Sequence, residues 1–344
     1  MAGTGSAHLR PREETILRVE DLVVEFPVGR SGLKVHAVSG ISLDIKEGET
    51  LGLVGESGCG KSTTGKAIMQ LPRPKAGSVE FEGTDLTGLK GASLREIRAR
   101  MQMIFQDPIS SLNPRRKVED IIAEGLRIWK VGSDEERNAK VEEMMLTVGL
   151  DPEVHGGRRP YEFSGGQCQR ISIARAVAND PKLIICDEPV SALDVSVQAQ
   201  ILNLLEDMKA RYGLTLIFIA HDLAVVKNVS DRVIVMYLGK ICEVGPPDRI
   251  YAQPAHPYTS VLLSAIPIPD PDVEPQMAAG VKGEIPSPLR PPSGCRFRTR
   301  CPKAQDRCAE EEPQIAEVGD GQFVACHFPL EPGETLPVRP SAAI

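Results

Sequence analysis

One stretch of the sequence combines glycines, a lysine and a serine at a spacing that binds phosphate. Residues 55–62 have the pattern G-x-x-x-x-G-K-S, after a short apolar run and before a helical segment. Glycines let backbone N–H groups turn inward around phosphate oxygens, and a helix N-terminus adds its dipole. The lysine of such a loop reaches the outer phosphates, and the serine hydroxyl binds Mg²⁺. A chance glycine-rich turn is the alternative, which the flanking strand and helix disfavour. The predicted nucleotide-binding residues are Gly55, Glu56, Ser57, Gly58, Cys59, Gly60, Lys61, Ser62 and Thr63.

Two carboxylates end a second apolar run. Asp187 and Glu188 close the stretch KLIICDEP, and a third run, LTLIFIAHD, includes His221 near its end. A carboxylate at a strand tip can hold Mg²⁺ through water, and its neighbour can polarise an attacking water. A solvated acidic turn and a structural histidine are the alternatives. Because ligands bind at the carboxyl ends of parallel strands, we expect these residues at one sheet edge.

A second glycine-containing helix start follows in the stretch FSGGQ. Ser164, Gly165, Gly166 and Gln167 precede a strongly helical segment. Such a start is another phosphate-binding end. One nucleotide does not need two of these ends from the same chain. The second end is therefore predicted to serve a nucleotide held by a partner chain.

Together these motifs resemble the ATP-binding cassette family over about residues 17–246. GESGCGKST is similar to the phosphate loop of the family, and FSGGQ is similar to its signature, with Phe163 where leucine is commoner. SALD, at residues 191–194, matches the loop after the catalytic glutamate. The resemblance implies an α/β fold: a P-loop, RecA-like nucleotide-binding domain with an antiparallel β subdomain, a helical subdomain and a cysteine-containing C-terminal extension.

The resemblance also implies roles for individual residues. Glu188 is the general base, His221 contacts the γ-phosphate, and Gln106 joins the two subdomains and binds Mg²⁺ with Ser62. Phe26 lies where the family places an aromatic ring under adenine; a core phenylalanine is the alternative. Two cassettes close head to tail around two ATP molecules, so that the signature of one chain meets the phosphate loop of the other.

The chain divides into three regions by pattern and composition. Residues 1–14 are predicted to be a disordered lead, residues 15–250 the ATPase domain, and residues 251–344 an extension with a proline-rich linker and a four-cysteine metal site. Within the ATPase domain, the apolar spacing of about residues 107–160 is helical.

That helical segment contains one clear helix start. Ser133 followed three residues later by Glu136 predicts a capping box. By resemblance, its face near Leu112 and Trp129 receives a membrane subunit, with core packing as the alternative for Trp129.

Within the family, the resemblance is to the bacterial oligopeptide and dipeptide permease ATPase subunits. It rests on FQDPISSLNPR, on AHPYTSVLLSAIPIPDP and on the cysteine tail. The implied partners are a second, unlike ATPase subunit, two transmembrane permease subunits and, indirectly, an extracytoplasmic peptide-binding protein. Related nickel importers share much of this pattern, and a non-transport P-loop ATPase is a more distant alternative.

Composition limits the classes of function. The formal net charge is −7, which argues against a broad basic surface for nucleic acid. The N-terminus has no apolar core of the length that a signal peptide needs, and the apolar run LTLIFIA is far shorter than a membrane helix. We expect a peripheral protein on the cytoplasmic face of the membrane. A DNA-repair ATPase would need a long coiled-coil insertion between Gln106 and Ser164, where only a short helical stretch stands.

Four of the eight cysteines are clustered near the C-terminus: Cys295, Cys301, Cys308 and Cys326. Stable disulfides are disfavoured in the cytoplasm. Four thiolates suit structural zinc, but the gaps of 5, 6 and 17 residues are wider than usual zinc spacing. Cys301 followed by Pro302 is typical of ferredoxins. The sequence, with the permease resemblance, predicts a [4Fe–4S] cluster, with Zn²⁺ as the alternative.

Cys59 lies inside the phosphate loop. Neighbouring N–H donors favour a thiolate, so a thiol reagent is expected to inactivate the protein and ATP to protect it. Shielding of the thiol by its neighbours is the alternative.

Overall fold

A computed structural model of the protein describes residues 4–266, 284–334 and 336. The strands of this part are β1 (Leu17–Pro27), β2 (Lys34–Ile45), β3 (Thr50–Val54), β4 (Ala76–Phe81), β5 (Thr84–Asp85), β6 (Met101–Ile104), β7 (Leu183–Asp187), β8 (Thr215–Ile219), β9 (Arg232–Tyr237), β10 (Lys240–Gly245), β11 (Ala316–Gly319) and β12 (Gln322–Val324).

The helices of the described residues follow the same chain order. They are α1 (Lys61–Ile68), α2 (Gly91–Arg100), α3 (Pro108–Ser111), α4 (Val118–Ile128), α5 (Asp134–Thr147), α6 (Pro152–His155), α7 (Gly165–Val177), α8 (Val195–Tyr212), α9 (Leu223–Val229), α10 (Pro247–Ala252), α11 (Pro257–Ser264) and α12 (Arg307–Glu310), with 3-10 turns at Arg12–Glu14 and Pro160–Glu162.

The chain forms two compact units, and the first comprises Met1–Lys46, Leu51–Gly88 and His221–Ile344. It contains an antiparallel sheet in the order β2-β1-β4-β5. Along β1, Leu17, Val19 and Leu22 are buried while the intervening side chains are more exposed. This alternation confirms the predicted antiparallel strands ahead of the phosphate loop, because one face of such a sheet packs on the core.

The first unit also contains a mixed set of strands. Strand β3 pairs in parallel with β9, and β9 runs antiparallel to β10 in a hairpin that turns at Gly239. Strand β12 then pairs with β10, and β11 pairs with β12. The C-terminal extension therefore continues the β structure of the cassette instead of forming a separate tail.

The second unit comprises Glu47–Thr50 and Leu89–Ala220. Strands β6, β7 and β8 are parallel neighbours, and every residue of β7 and β8 is buried. Parallel strands covered on both faces require such continuous apolar runs. Helix α7 packs against α3, α4, α5 and β6, which places the helical segment and the strand set around one core.

The capping box predicted inside the helical segment is confirmed. Ser133 Oγ accepts from the N–H of Glu136 at 3.2 Å, and Glu136 Oε2 accepts from the N–H of Ser133 at 2.6 Å. Helix α5 begins at the next residue and is the longest helix between Gln106 and Ser164. No coiled-coil insertion exists there, and all of those residues lie in the described part of the chain.

Two other expectations about segments had different outcomes. Residues 4–14 differ from the predicted disordered lead, since Thr4 and His8 are buried. The N–H of Thr4 donates to the Gly40 carbonyl, and His8 Nε2 pairs with the Ser42 carbonyl at 2.8 Å. These bonds attach the lead to β2. Much of the predicted proline-rich linker, residues 267–283, lies outside the described residues.

Candidate functional site

The phosphate loop occupies the turn between β3 and α1, as predicted. Gly55 has φ +148° and Gly60 has φ +107°. A Cβ atom at Gly55 would lie 2.1 Å from the Met236 carbonyl oxygen, and one at Gly60 would lie 2.3 Å from that of Ala37. Backbone from β9 and β2 therefore approaches the loop too closely for any side chain at these two positions.

Lys61, the first residue of α1, is buried and directed toward its own loop. Its Nζ donates to the carbonyl of Gly55 at 2.7 Å and to that of Glu56 at 3.2 Å. The ammonium thus lies inside the curve of the loop, where the outer phosphates of a nucleotide would bind. Ser62 and Thr63 follow it on the first turn of the helix.

Cys59 is only 4% exposed. Burial raises the pKa of its thiol, although Lys61 opposes the shift. The expected thiolate is therefore wrong: desolvation disfavours the charged form more strongly than the nearby cation and N–H groups favour it.

We therefore expect Cys59 to be alkylated slowly by iodoacetamide at pH 7. Its thiol is protonated below the raised pKa, so the rate should increase only as the pH rises beyond the ordinary thiol pKa of about 8.5. Peptide mapping by mass spectrometry after timed labelling measures this for Cys59 separately from the other cysteines. The protein unfolded in denaturant is the control, and labelling at pH 7 as fast as in that control would contradict the expectation.

Glu188 stands directly after β7 in a strained conformation. Its φ is +48°, a value that a non-glycine residue adopts only when its surroundings hold it. The N–H of Glu188 donates to the Ile219 carbonyl at 3.0 Å, and its own carbonyl accepts from Ser191 Oγ at 3.1 Å. These bonds hold the backbone of Glu188 in place at the end of the strand.

Gln106 lies beside that carboxylate, in the same unit. Its Nε2 donates to Glu188 Oε2 at 2.9 Å; Gln106 is exposed and Glu188 is half-buried. The structure thus brings together two predicted site residues that are 82 positions apart. Asp187, at the last position of β7, is 1% exposed.

The signature forms the start of α7, as predicted. Ser164 is the N-cap: its Oγ accepts from the N–H of Gln167, and Gln167 Oε1 accepts from the N–H of Ser164. A Cβ atom on Gly166 would lie 2.6 Å from a methyl group of Val197 on α8, while Gly165 has no neighbour closer than 3.7 Å. The two glycines leave the helix end bare of side chains.

The remaining predicted residues differ in their exposure to solvent. His221 is exposed just before α9, in the first unit. Phe26, near the end of β1, is 38% exposed, so the alternative of a core phenylalanine does not hold. Leu112 is buried, in contrast to its predicted place on a partner-binding face, and Trp129 is half-buried.

Comparison with known proteins agrees with this geometry. Residues 38–191 match the family model "ABC transporter", and residues 242–308 match "Oligopeptide/dipeptide transporter, C-terminal region". The oligopeptide transport ATP-binding protein OppF of Salmonella typhimurium is 53% identical over 315 residues, covering 88% of this chain and 93% of that protein. AppF of Bacillus subtilis is 50% identical over 324 residues, covering 92% and 98%.

The chain belongs to the ATP-binding cassette family of transporter ATPases, in its oligopeptide/dipeptide branch. A solved structure supports the cassette fold as well. It is a dimeric ATP-binding cassette in a post-hydrolysis state bound to ADP and Pi, with a TM-score of 0.61 and 29% identity over 67% of this chain and 98% of that one. The predicted fold class and family are confirmed.

The cysteine extension of this cassette differs from its prediction. All eight cysteines are free. Cys295, Cys301, Cys308 and Cys326 line one cavity whose accessible volume is about 10 Å³, on the order of one water molecule. Across residues 4–266, 284–334 and 336, no group of three or more His, Cys, Asp or Glu side chains is arranged to hold a metal ion. The predicted iron–sulfur cluster, with zinc as its alternative, is wrong for this geometry.

The physical reason lies in how the extension is held. Burial raises the pKa of Cys295 to about 11 and that of Cys326 to about 12, so without a bound metal these thiols are protonated at neutral pH. Phe297 is 1% exposed, with its ring centroid 5.2 Å from that of Tyr237 and 5.3 Å from that of Tyr258. Aromatic packing and the β10–β12 pairing thus fix this segment in place.

Two functional neighbours of the phosphate loop are missing from the sequence prediction. The N–H of Glu56 donates to Tyr258 Oη at 2.8 Å, and Arg300 forms two hydrogen bonds with the Glu56 carboxylate. Both residues lie in stretches that carry the permease resemblance. No spacing rule connects position 300 with position 56, so only folding shows the contact.

Proposed function

We infer that this chain is the ATP-hydrolysing subunit that energises import of oligopeptides or dipeptides. The observation that carries this inference is the similarity to oligopeptide transport ATPases over about nine-tenths of the chain, including the oligopeptide/dipeptide C-terminal region at residues 242–308. The competing nickel importer shares much of this pattern, and the relatives named for oligopeptide transport favour peptides.

The chemistry assigned to the site follows from its residues. Lys61 and the backbone N–H groups of the phosphate loop bind the phosphates of ATP, and Phe26 stacks on adenine. Glu188 orients and deprotonates the attacking water, aided by Gln106, whose amide is 2.9 Å from its carboxylate. His221 contacts the γ-phosphate.

The oxygen-bearing side chains of the site suit Mg²⁺. The Ser62 hydroxyl, the Gln106 amide oxygen and the Asp187 carboxylate are the hard ligands that this ion prefers. When bound, Mg²⁺ neutralises charge on the phosphate oxygens. We propose Ser62 and Gln106 as direct ligands and Asp187 as a ligand through water.

The partners that we propose follow from the half-site at α7. Ser164, Gly165, Gly166 and Gln167 bind the γ-phosphate of a nucleotide held by a second, unlike ATPase subunit, and that subunit supplies the equivalent signature to this chain. A peptide-binding protein outside the cytoplasm delivers the peptide, and no nucleic acid is involved.

Two transmembrane permease subunits complete the importer. Among the described residues, no helix is long and apolar enough to span a bilayer. We propose that the chain is peripheral, at the cytoplasmic face, and contacts a permease through its helical segment. There, a groove of about 730 Å³ lies between α4, α5 and α6, lined by Glu119, Arg127, Met145 and Leu146 among others, and Leu146 is 64% exposed. The domain limits at residues 15–250 and 251–344 are part of the same proposal.

Deletion of the gene should abolish uptake of labelled di- and oligopeptides, and a plasmid copy should restore it. The expected result follows because the permease subunits cannot alternate without ATP hydrolysis. Nickel uptake in the same strains is the matched comparison. Normal peptide uptake together with lost nickel uptake would contradict the proposal and show that the chain energises a nickel importer.

A further inference from the structure

The C-terminal extension reaches the phosphate loop through an ion pair. Arg300 Nη1 donates to Glu56 Oε2 at 2.8 Å, and Arg300 Nη2 donates to Glu56 Oε1 at 3.0 Å. The Arg300 side chain is 9% exposed and that of Glu56 is 24% exposed. A bidentate ion pair with such low solvent exposure is stronger and more directional than a surface salt bridge.

The arginine is itself held in place by aromatic rings. Its guanidinium carbon lies 5.7 Å from the ring centroid of Tyr237 and 5.9 Å from that of Phe297. Nη1 is also 3.4 Å from Tyr237 Oη. Both rings are fully buried, so the guanidinium cannot leave the carboxylate without losing this packing.

Glu56 is fixed at its backbone as well as at its side chain. Its N–H donates to the buried Tyr258 hydroxyl, and its carbonyl accepts from Lys61 Nζ. A single residue of the phosphate loop is thus bound by the extension, by helix α11 and by the phosphate-binding lysine.

A second arginine of the extension is linked to the loop through the β9–β10 turn. Arg296 is 8% exposed and donates to the carbonyl of Leu238 in the β9–β10 turn. The next residue of that turn, Gly239, donates its N–H to the Cys59 carbonyl at 2.7 Å. Residues 296–300 therefore contact the loop at Glu56 directly and at Cys59 through the turn.

We propose that Arg300 is a positioning residue for ATP: it neutralises and orients Glu56, so that the phosphate loop presents its N–H groups and Lys61 to the phosphates without a competing negative charge. The cysteine-containing extension is then part of the nucleotide site. This inference rests on the proposed function, because it assumes that the loop binds ATP.

The test is equilibrium binding of trinitrophenyl-ATP to the purified full-length chain. Arg300→Ala should raise the Kd roughly tenfold, which corresponds to the loss of a charged hydrogen-bonded pair. Arg300→Lys, which keeps the charge without the bidentate geometry, should have a Kd between those of the wild type and Arg300→Ala. Arg298→Ala is the matched control, since the half-buried Arg298 side chain donates to Ser293, outside the phosphate loop; its Kd should stay within twofold of the wild type.

The role in positioning is separated from a purely structural one by a double-mutant cycle. In a Glu56→Gln background no charge needs neutralising, so Arg300→Ala should change the Kd less than about threefold. In the assembled transporter, Arg300→Ala should raise the KM for ATP and leave kcat within about threefold at saturation. If Arg300→Ala does not fold, Arg300→Lys replaces it in the double-mutant cycle with Glu56→Gln.

Two results would overturn the proposal: a Kd within twofold of the wild type for Arg300→Ala, or an equal effect of that change in both backgrounds. A wild-type chain that binds no nucleotide would instead refute the proposed function. The two failures are therefore distinguishable in one titration series.

Discussion

Glu188→Gln should reduce ATP turnover by about 10²- to 10⁴-fold while ATP binding is retained, because the variant removes a general base and little else. An amide oxygen at this position can still accept from Gln106, whose Nε2 is 2.9 Å from the carboxylate. The backbone bonds that hold position 188 at φ +48° are independent of the side chain. Size and conformation are thus preserved, and only the basic group is lost.

The measurement is steady-state phosphate release by the assembled transporter, together with nucleotide binding by the same preparation. Glu206→Gln is the matched control, because Glu206 is an exposed carboxylate on α8 of the same unit. If Glu188→Gln hydrolysed ATP at nearly the wild-type rate, Glu188 would not be the general base, and another group would have to activate the water.

Lys61→Ala should weaken ATP binding by about 10- to 100-fold, as expected for the loss of a buried, charged donor to phosphate. Lys61 is 4% exposed and bonded to two carbonyls of the loop that it serves. Its removal therefore takes away both the cation for the outer phosphates and a support of the loop. Titration with a fluorescent nucleotide measures the loss.

Lys75→Ala is the matched control for this change. Lys75 is an exposed lysine of the same unit whose Nζ donates to Glu25 Oε2 at 2.7 Å, outside the phosphate loop. Its variant should bind ATP as the wild type does. Equal affinities for Lys61→Ala and Lys75→Ala would place the phosphates elsewhere in the chain.

The wrong prediction of a metal centre shows that residue types alone are not sufficient evidence for a metal site. Four clustered cysteines and nearby arginines suggest a thiolate cluster and its counter-charges. The structure gives two of those arginines other partners: Arg300 pairs with Glu56, and Arg296 binds the Leu238 carbonyl. Charge near cysteines is thus no evidence for an anionic cluster when the cations are already paired.

The local features of this protein can be predicted from short stretches of its sequence. Contiguous motifs could be recognised in the sequence because their function requires fixed residue spacing. These motifs are the glycines and Lys61 of the phosphate loop, the N-cap of α7 at Ser164 and the capping box of α5 at Ser133. Their hydrogen bonds span only a few residues, so local geometry suffices to form them.

Contacts between distant positions depend on how the folded chain packs. The pairing of Gln106 with Glu188 spans 82 residues, and that of Arg300 with Glu56 spans 244. Burial of Cys59, which reversed its expected ionisation, likewise depends on the chain packed around it. Such contacts depend on which surfaces pack together. Long-range packing produces no recognisable residue pattern in the sequence, whereas helices, turns and helix caps do.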